Sequence, residues 1–269
     1  MVKGLYTAYS GMINEQHRMD TLTNNLANVS TTGYKKEGAT SQTFADALAV
    51  KLQDSSEWYL SSRMGNMQPG VKIGENYTDW SEGAFRGTEN TFDLALSDSG
   101  FFEIEFTDKA GNTSVKYTRD GSFTLTLDGT LVTKDGDYVL DTNGNHITID
   151  PIEPTTIDRQ GNITQGDNPQ ILATIAVTDF ERGFGEEGAM DYYYLEKYGE
   201  NMWQTIPGAT EIPSNAQIYS GYLEQSNVET VQEMVNMIAT QRQYEINQKV
   251  IQTMDSSLDT AVNNLGRLQ

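Results

Sequence analysis

The chain has no cysteine at all, which removes disulfides, thiolate zinc sites and cysteine nucleophiles together. It has only two histidines, His17 and His146, 129 residues apart. Positive charge is also scarce, with 18 Lys and Arg against 38 Asp and Glu and a net charge of −20. Phosphate binding needs clustered cations, so nucleic acid is excluded as a partner, and an anionic membrane surface is disfavoured on the same ground. No run of about 18 apolar residues is present, so no membrane insertion is expected. The opening MVKGLYTAYSGMINEQ lacks the continuous apolar stretch of a signal peptide, so any export is expected without cleavage of one.

The negative charge is unevenly placed. Residues 1–36 carry four basic and two acidic side chains, and residues 228–269 carry three basic and five acidic. The whole net charge of −20 therefore lies in the middle, between near-neutral ends. Such a chain associates through its ends and stays soluble through its self-repelling middle.

The ends carry helical patterns. Over residues 3–29, Leu5, Ala8, Met12, Met19, Leu22, Leu26 and Val29 form one stripe. Asn14, Arg18, Thr21, Asn25 and Asn28 lie opposite, and Thr31-Thr32-Gly33 is the expected stop. The second pattern runs through Val228, Val231, Val235, Ile238, Arg242, Ile246, Val250, Met254, Leu258, Ala261, Leu265 and Leu268. These 40 residues in eleven steps give about 3.64 residues per step, the period of a straight helix, with Ser226 or Asn227 as its cap. Neither stripe suits a helix alone in water.

Between them the sequence is β-type. Asp120-Gly121, Asp128-Gly129, Asp135-Gly136 and Asn143-Gly144 are hairpin-turn pairs at steps of 8, 7 and 8. The strand-like runs are 115–119, 123–127, 131–133, 138–140, 147–149 and 171–177. Phe44 to Leu52 reads as a candidate short helix within an otherwise extended 37–90. The expected fold class is α+β, with N- and C-terminal helices packed as an α-helical, coiled-coil-like domain and a central, mainly antiparallel β domain. The expected parts are a terminal helix at 1–36, an extended linker at 37–90, a β domain at 91–220 and a C-terminal helix at 221–269.

Several stretches resemble the flagellar basal-body rod and hook protein family. They are Ser10-Gly11-Met12, Asn24 to Val29 with Thr31 to Lys35, Asp93 to Leu96 with Gly100 to Phe102, Tyr117 to Phe123, Gly129 to Val132, and Gly221 to Val228. Met234 to Ile238 and Gln241 to Glu245 continue the series, in the family's order. The length is similar to that of the distal rod members rather than the longer hook protein. The resemblance implies a non-enzymatic structural subunit located in the basal body within the cell envelope. It implies export through the flagellar type III apparatus, helical assembly with copies of itself, contact with other rod and hook proteins, and transmission of motor torque. It further implies terminal helices lining a tube and a β domain forming its outer wall.

No catalytic residue, cofactor or metal is expected. Asp141, Asn143 and Asn145 imitate a calcium loop, but His146 and Ile152 stand where Gly and Glu are required. Glu103 and Glu105 at i, i+2 are a candidate glycosidase pair, and a surface adhesin is the other competing class. Tyr192-Tyr193-Tyr194 reads as a binding surface or as an alternating strand. The candidate assembly residues are Leu22, Asn24, Asn25, Leu26, Asn28 and Val29 at the first end, and Val235, Ile238, Ile246 and Val250 at the second.

Overall fold

The structure, a computed structural model, describes residues 2–44, 47–50, 63–67, 70–166, 170–181, 192, 194–199 and 201–265. The expectations for Tyr193, Leu268 and residues 45–46 and 51–52 lie outside them. The chain divides into a helical unit (1–27, 37–79 and 229–269) and a β unit (28–36 and 80–228).

The helical unit contains α1 (Val2–Ala27), β1 (Glu37–Thr43), β2 (Ala47–Val50), β3 (Arg63–Met67) and β4 (Val71–Thr78). Its last element, α2 (Thr230–Leu265), runs 36 residues and spans about 54 Å at 1.5 Å per residue. β1 pairs antiparallel with β4, and β2 with β3. Of the expected helix at Phe44 to Leu52, Ala47–Val50 is thus a strand and Phe44 lies outside any helix. A run of four apolar residues is too short to mark a helix, and pairing with Arg63–Met67 satisfies its backbone groups.

The β unit contains β5 (Phe85–Gly87), β6 (Leu94–Ser97), β7 (Phe101–Thr107), β8 (Thr113–Thr118), β9 (Phe123–Leu125), β10 (Leu131–Thr133), β11 (Tyr138–Val139) and β12 (Thr155–Ile157). It continues with β13 (Asn162–Gln165), β14 (Ile171–Thr174), β15 (Val177–Phe180), β16 (Leu195–Gly199), β17 (Met202–Thr205), β18 (Glu211–Pro213), β19 (Gln217–Ser220) and β20 (Tyr222–Glu224). Nine strands form the main sheet in the order β16-β17-β8-β7-β11-β10-β9, with β15 pairing both β7 and β18. Every pairing in it is antiparallel.

The period of two along β7 builds the β unit's interior on both faces of the strand. Phe102 and Ile104 enter a cluster with Leu94, Leu96, Phe123 and Leu131. Phe101 enters another with Trp80, Tyr117, Phe180 and Trp203.

Asp128-Gly129 and Asp135-Gly136 do join paired strands, and both glycines have positive φ. Asp120-Gly121 does not. β8 and β9 lie apart in the sheet, and Gly121 is small because a Cβ there would fall 1.7 Å from the Leu94 carbonyl oxygen. Residues 147–149 make a bridge through Thr148 rather than a strand. Tyr192 is buried and Tyr194 exposed just before β16, whereas an alternating strand would turn these two to one side.

Candidate assembly interface

The two long helices are antiparallel. A Cβ on Gly4 would stand 2.7 Å from Met254 Cε, and one on Gly11 3.1 Å from Asn247 Nδ2, so seven residues forward on α1 are seven back on α2. With its amide nitrogen turned to Glu15, Gln243 donates to both carboxylate oxygens at 3.1 and 3.2 Å in the same register. Glycine at 4 and 11 permits this close approach.

On α2 the less exposed residues include a line through Glu233, Met237, Thr240, Tyr244, Asn247, Ile251, Met254, Leu258 and Ala261. Their steps alternate four and three, 28 residues in eight steps, which is the 3.5 period of a left-handed helix pair. The 3.64 line of the sequence pattern is a different line. It drifts round the helix and meets the packed one at Met254, Leu258 and Ala261. Its first half lies about half a turn away, so Val231 (65% exposed), Val235 (55%), Ile238 (52%) and Ile246 (60%) face outward from α1. Val250, where the two lines converge, is 36% exposed.

The polar side of α1 is likewise the reverse of a solvent face. Asn14, Thr21 and Asn25 are buried, while Tyr6, Tyr9 and Ile13 are exposed. β1 and β4 explain the inversion, because their edge groups need hydrogen-bond partners that α1 supplies. Asn25 Nδ2 donates to Glu37 O at 2.8 Å, and Asn25 Oδ1 accepts from Glu37 N at 3.0 Å. Asn14 Nδ2 donates to Ser41 Oγ at 2.9 Å, and Ser41 Oγ donates back to Asn14 Oδ1 at 3.1 Å. Asn25 is thus an internal clamp. Leu22 and Leu26 are half-buried on α1, and Asn24 is exposed.

Asn28 and Val29 are not on the helix. α1 ends at Ala27, and the next residues form a turn in which Asn28 O accepts from Thr31 N at 3.1 Å. Gly33 does not stop the helix either. Its φ of +66° and a Cβ position 2.5 Å from the Arg119 carbonyl carbon make it a close crossing point inside the β unit. Nor does Asn227 cap α2, since its Oδ1 accepts from Lys36 N at 2.8 Å.

Those side chains belong to a buried clasp in the β unit that joins residues 32–36 to residues 224–227. Lys35 Nζ donates to Glu224 Oε1 at 2.6 Å and to Ser81 O at 2.8 Å. Glu224 Oε1 also accepts from Gly83 N at 3.0 Å, and its Oε2 pairs with Arg119 Nη1 at 3.5 Å. Thr32 Oγ1 donates to Asp120 Oδ1 at 2.6 Å, and Gly33 N to Glu224 O at 2.9 Å. Lys35 and Glu224 side chains are each 1% exposed. Burial holds the Lys35 amine below its ordinary range; the Glu224 carboxylate pulls it up, and the Arg119 guanidinium pushes it further down. Three quoted sequence motifs therefore meet at one carboxylate.

The acid–base candidates are occupied structurally. Thr178 Oγ1 donates to Glu103 Oε1, and Glu105 lies 2.9 Å from His146 Nε2, whose ring stacks on Tyr138 at 4.3 Å. Asp141 Oδ2 and Oδ1 accept from Asn143 Nδ2 and Thr174 N, at 2.9 and 2.8 Å, closing a turn. Among the described residues, no group of three or more His, Cys, Asp or Glu could hold a metal, and no helix is long and apolar enough to cross a membrane.

Tyr117 ties the second aromatic cluster to β18 by donating its hydroxyl to Glu211 Oε1 at 2.6 Å. Burial, then that bond, pushes the phenol well above its ordinary value. A raised folded pKa stabilises fully below the unfolded value of about 10, and that stabilisation is lost as pH rises above it. Tyr117→Phe should therefore cost roughly 1 kcal/mol at neutral pH, with the difference from the unaltered chain closing above about pH 10 in urea titrations.

Three family descriptions match in chain order. Residues 5–35 match "Flagella basal body rod protein", residues 95–165 "Flagellar hook protein FlgE/F/G D1 domain", and residues 219–265 "Flagellar basal body rod FlgEFG protein C-terminal". The flagellar basal-body rod protein FlgG of Buchnera aphidicola is 33% identical over 279 residues, covering 96% of this chain and 98% of its own. FlgG of Bacillus subtilis is 32% identical, covering 98% of this chain and 99% of its own. FlgF of Caulobacter vibrioides is 32% identical across the whole of both chains. With helical ends, an antiparallel β middle and near-complete coverage of these relatives, the chain belongs to the flagellar basal-body rod protein family as a FlgG-like structural rod protein.

Proposed function

We propose that this chain is a non-catalytic building block that self-associates helically through its terminal helices, forming the distal rod that carries motor torque to the hook. The observation that carries this reading is the outward face of α2. Val231, Val235, Ile238 and Ile246 are each more than half exposed, on the side of the helix away from α1. Full burial of such side chains is worth roughly 1.5–3 kcal/mol each, and the helix pair does not supply it. A contact between unlike faces repeats without closing, as a shaft requires. The chain reaches its place by the flagellar export apparatus and meets other rod and hook proteins at the ends of its own segment.

A FlgF-like place nearer the motor is the second reading, favoured by the whole-length match to the Caulobacter FlgF. Self-association is tested by sedimentation velocity over rising concentration, with electron microscopy of the concentrated sample. Filaments are expected. A monomer that persists at millimolar concentration defeats the proposal.

A further inference from the structure

The turn at 141–145, which imitates a calcium loop in sequence, holds a reactive pair that a structural rod subunit leaves unused. Asn143-Gly144 is the chain's one Asn-Gly pair, and both residues are exposed. In such a pair the glycine amide nitrogen can attack the asparagine side-chain carbonyl carbon, since no glycine Cβ shields it. The new N–Cγ bond closes a five-membered imide as the Cγ–Nδ2 bond breaks, and Nδ2 leaves as ammonia with the glycine amide proton. Water then opens the ring to aspartate or isoaspartate. A Cβ placed on Gly144 would meet nothing within 4 Å, so the approach is unobstructed. We propose that Asn143 is a site of self-deamidation, latent while the turn is closed and released when it opens.

Both reacting groups are engaged in the closed turn. Gly144 N donates to Asp141 O at 2.7 Å, which commits the nucleophile to the backbone. Asn143 Nδ2 donates to Asp141 Oδ2 at 2.9 Å, which commits the amide that must leave. Asp141 is itself anchored: its Oδ1 accepts from Thr174 N at 2.8 Å, and its N donates to Asn145 O at 2.9 Å. Reaction therefore waits on local opening, and its rate follows the open fraction. One hydrogen bond of ordinary net strength shifts that fraction about fivefold, and two shift it about 25-fold.

The turn's geometry does not dictate asparagine. Gly111, Gly129, Gly136 and Gly161 each donate to the carbonyl three residues back, as Gly144 does, and Ala110, Asp128, Asp135 and Gln160 precede them. The product is poorly placed at 143. A carboxylate there stands where an amide now donates to Asp141, so two like charges meet at hydrogen-bond distance. Their repulsion works against the closed turn, and so against the bonds of Thr174 N to Asp141 Oδ1 and of Thr142 N to Thr174 O. Because ammonia is lost, the change runs one way. It loosens the junction between this turn and the end of β14 as the molecule ages.

Peptide mapping by mass spectrometry tests this on the whole chain, held at neutral pH either folded or unfolded in urea. The peptide holding Asn143 should gain about 1 Da, about 25-fold more slowly in the folded chain than in urea. Asp141→Asn keeps an acceptor for Thr174 N and replaces the carboxylate that accepts from Asn143, so it should deamidate about fivefold faster than the unaltered fold. Near-UV circular dichroism of Trp80 and Trp203 checks that this variant stays folded. Asn143→Asp reproduces one product directly, and should speed hydrogen exchange at Thr142 and Thr174 about tenfold. A folded chain that deamidates as fast as the unfolded one overturns the latency, as does a folded Asp141→Asn chain that reacts no faster than the unaltered one. Deamidation that occurs elsewhere while Asn143 stays intact in urea overturns the site. Unchanged exchange in Asn143→Asp overturns the loosening.

Discussion

Glu224→Ala should destabilise the β unit by about 3–5 kcal/mol, the loss expected when a buried ion pair keeps its cations and loses its anion. Its carboxylate accepts from Lys35 at 2.6 Å and Gly83 at 3.0 Å and faces Arg119 at 3.5 Å. Arg119 has a second acceptor in Asp98 O at 2.7 Å, but its Nε has no hydrogen-bond partner among the described residues. Two buried cations already share one carboxylate, so removing it leaves both uncompensated. The loss should also depend on pH in a stated direction. The Lys35 amine is held below its ordinary value, so between its folded value and the ordinary one near 10.5 the unfolded chain binds more protons. Stability from this group rises with pH across that window. Without Glu224 the amine falls further, and the deficit of Glu224→Ala should shrink as pH rises from 7 toward 10.

Near-UV circular dichroism of the cluster holding Trp80 and Trp203 reports unfolding of the β unit. A loss below about 1 kcal/mol at pH 7, or one that grows with pH, would show that the clasp does not hold the unit together.

Ile238→Asp should abolish rods while leaving the monomer's stability nearly untouched. The side chain is 52% exposed and turned from α1, so a carboxylate there meets water in the monomer. In an assembled contact the same carboxylate would be desolvated without a partner, which costs several kcal/mol in every repeat. Cells carrying only this variant should lack filaments and fail to swim, while the purified variant melts within about 2 °C of the unaltered protein. Motile cells with flagella of normal length would remove this face from the interface. A large drop in melting temperature would assign Ile238 to the monomer's own packing.

The sequence alone determined the α+β layout, the two helical ends and the family. Each follows from local rules: period near 3.6, turn pairs carrying Gly, and motifs in order. It also singled out Val235, Ile238, Ile246 and Val250 as candidate assembly residues, because large apolar residues on a long uninterrupted helix require burial somewhere. What it could not determine was which side of each helix meets the other. Apolar character pointed to one 3.64 line on α2, but the packed line has a period of 3.5 and runs through Glu233, Thr240 and Asn247. The approach of glycines 4 and 11 selects that line, and only the register between two distant segments reveals it. The same holds for α1, where Asn14 and Asn25 are buried because their amides bond to Ser41 and Glu37 of β1. Lys35, Arg119 and Glu224 were legible as parts of motifs, but not as one ion cluster. Residues 189 apart in sequence meet only when the β unit closes around them.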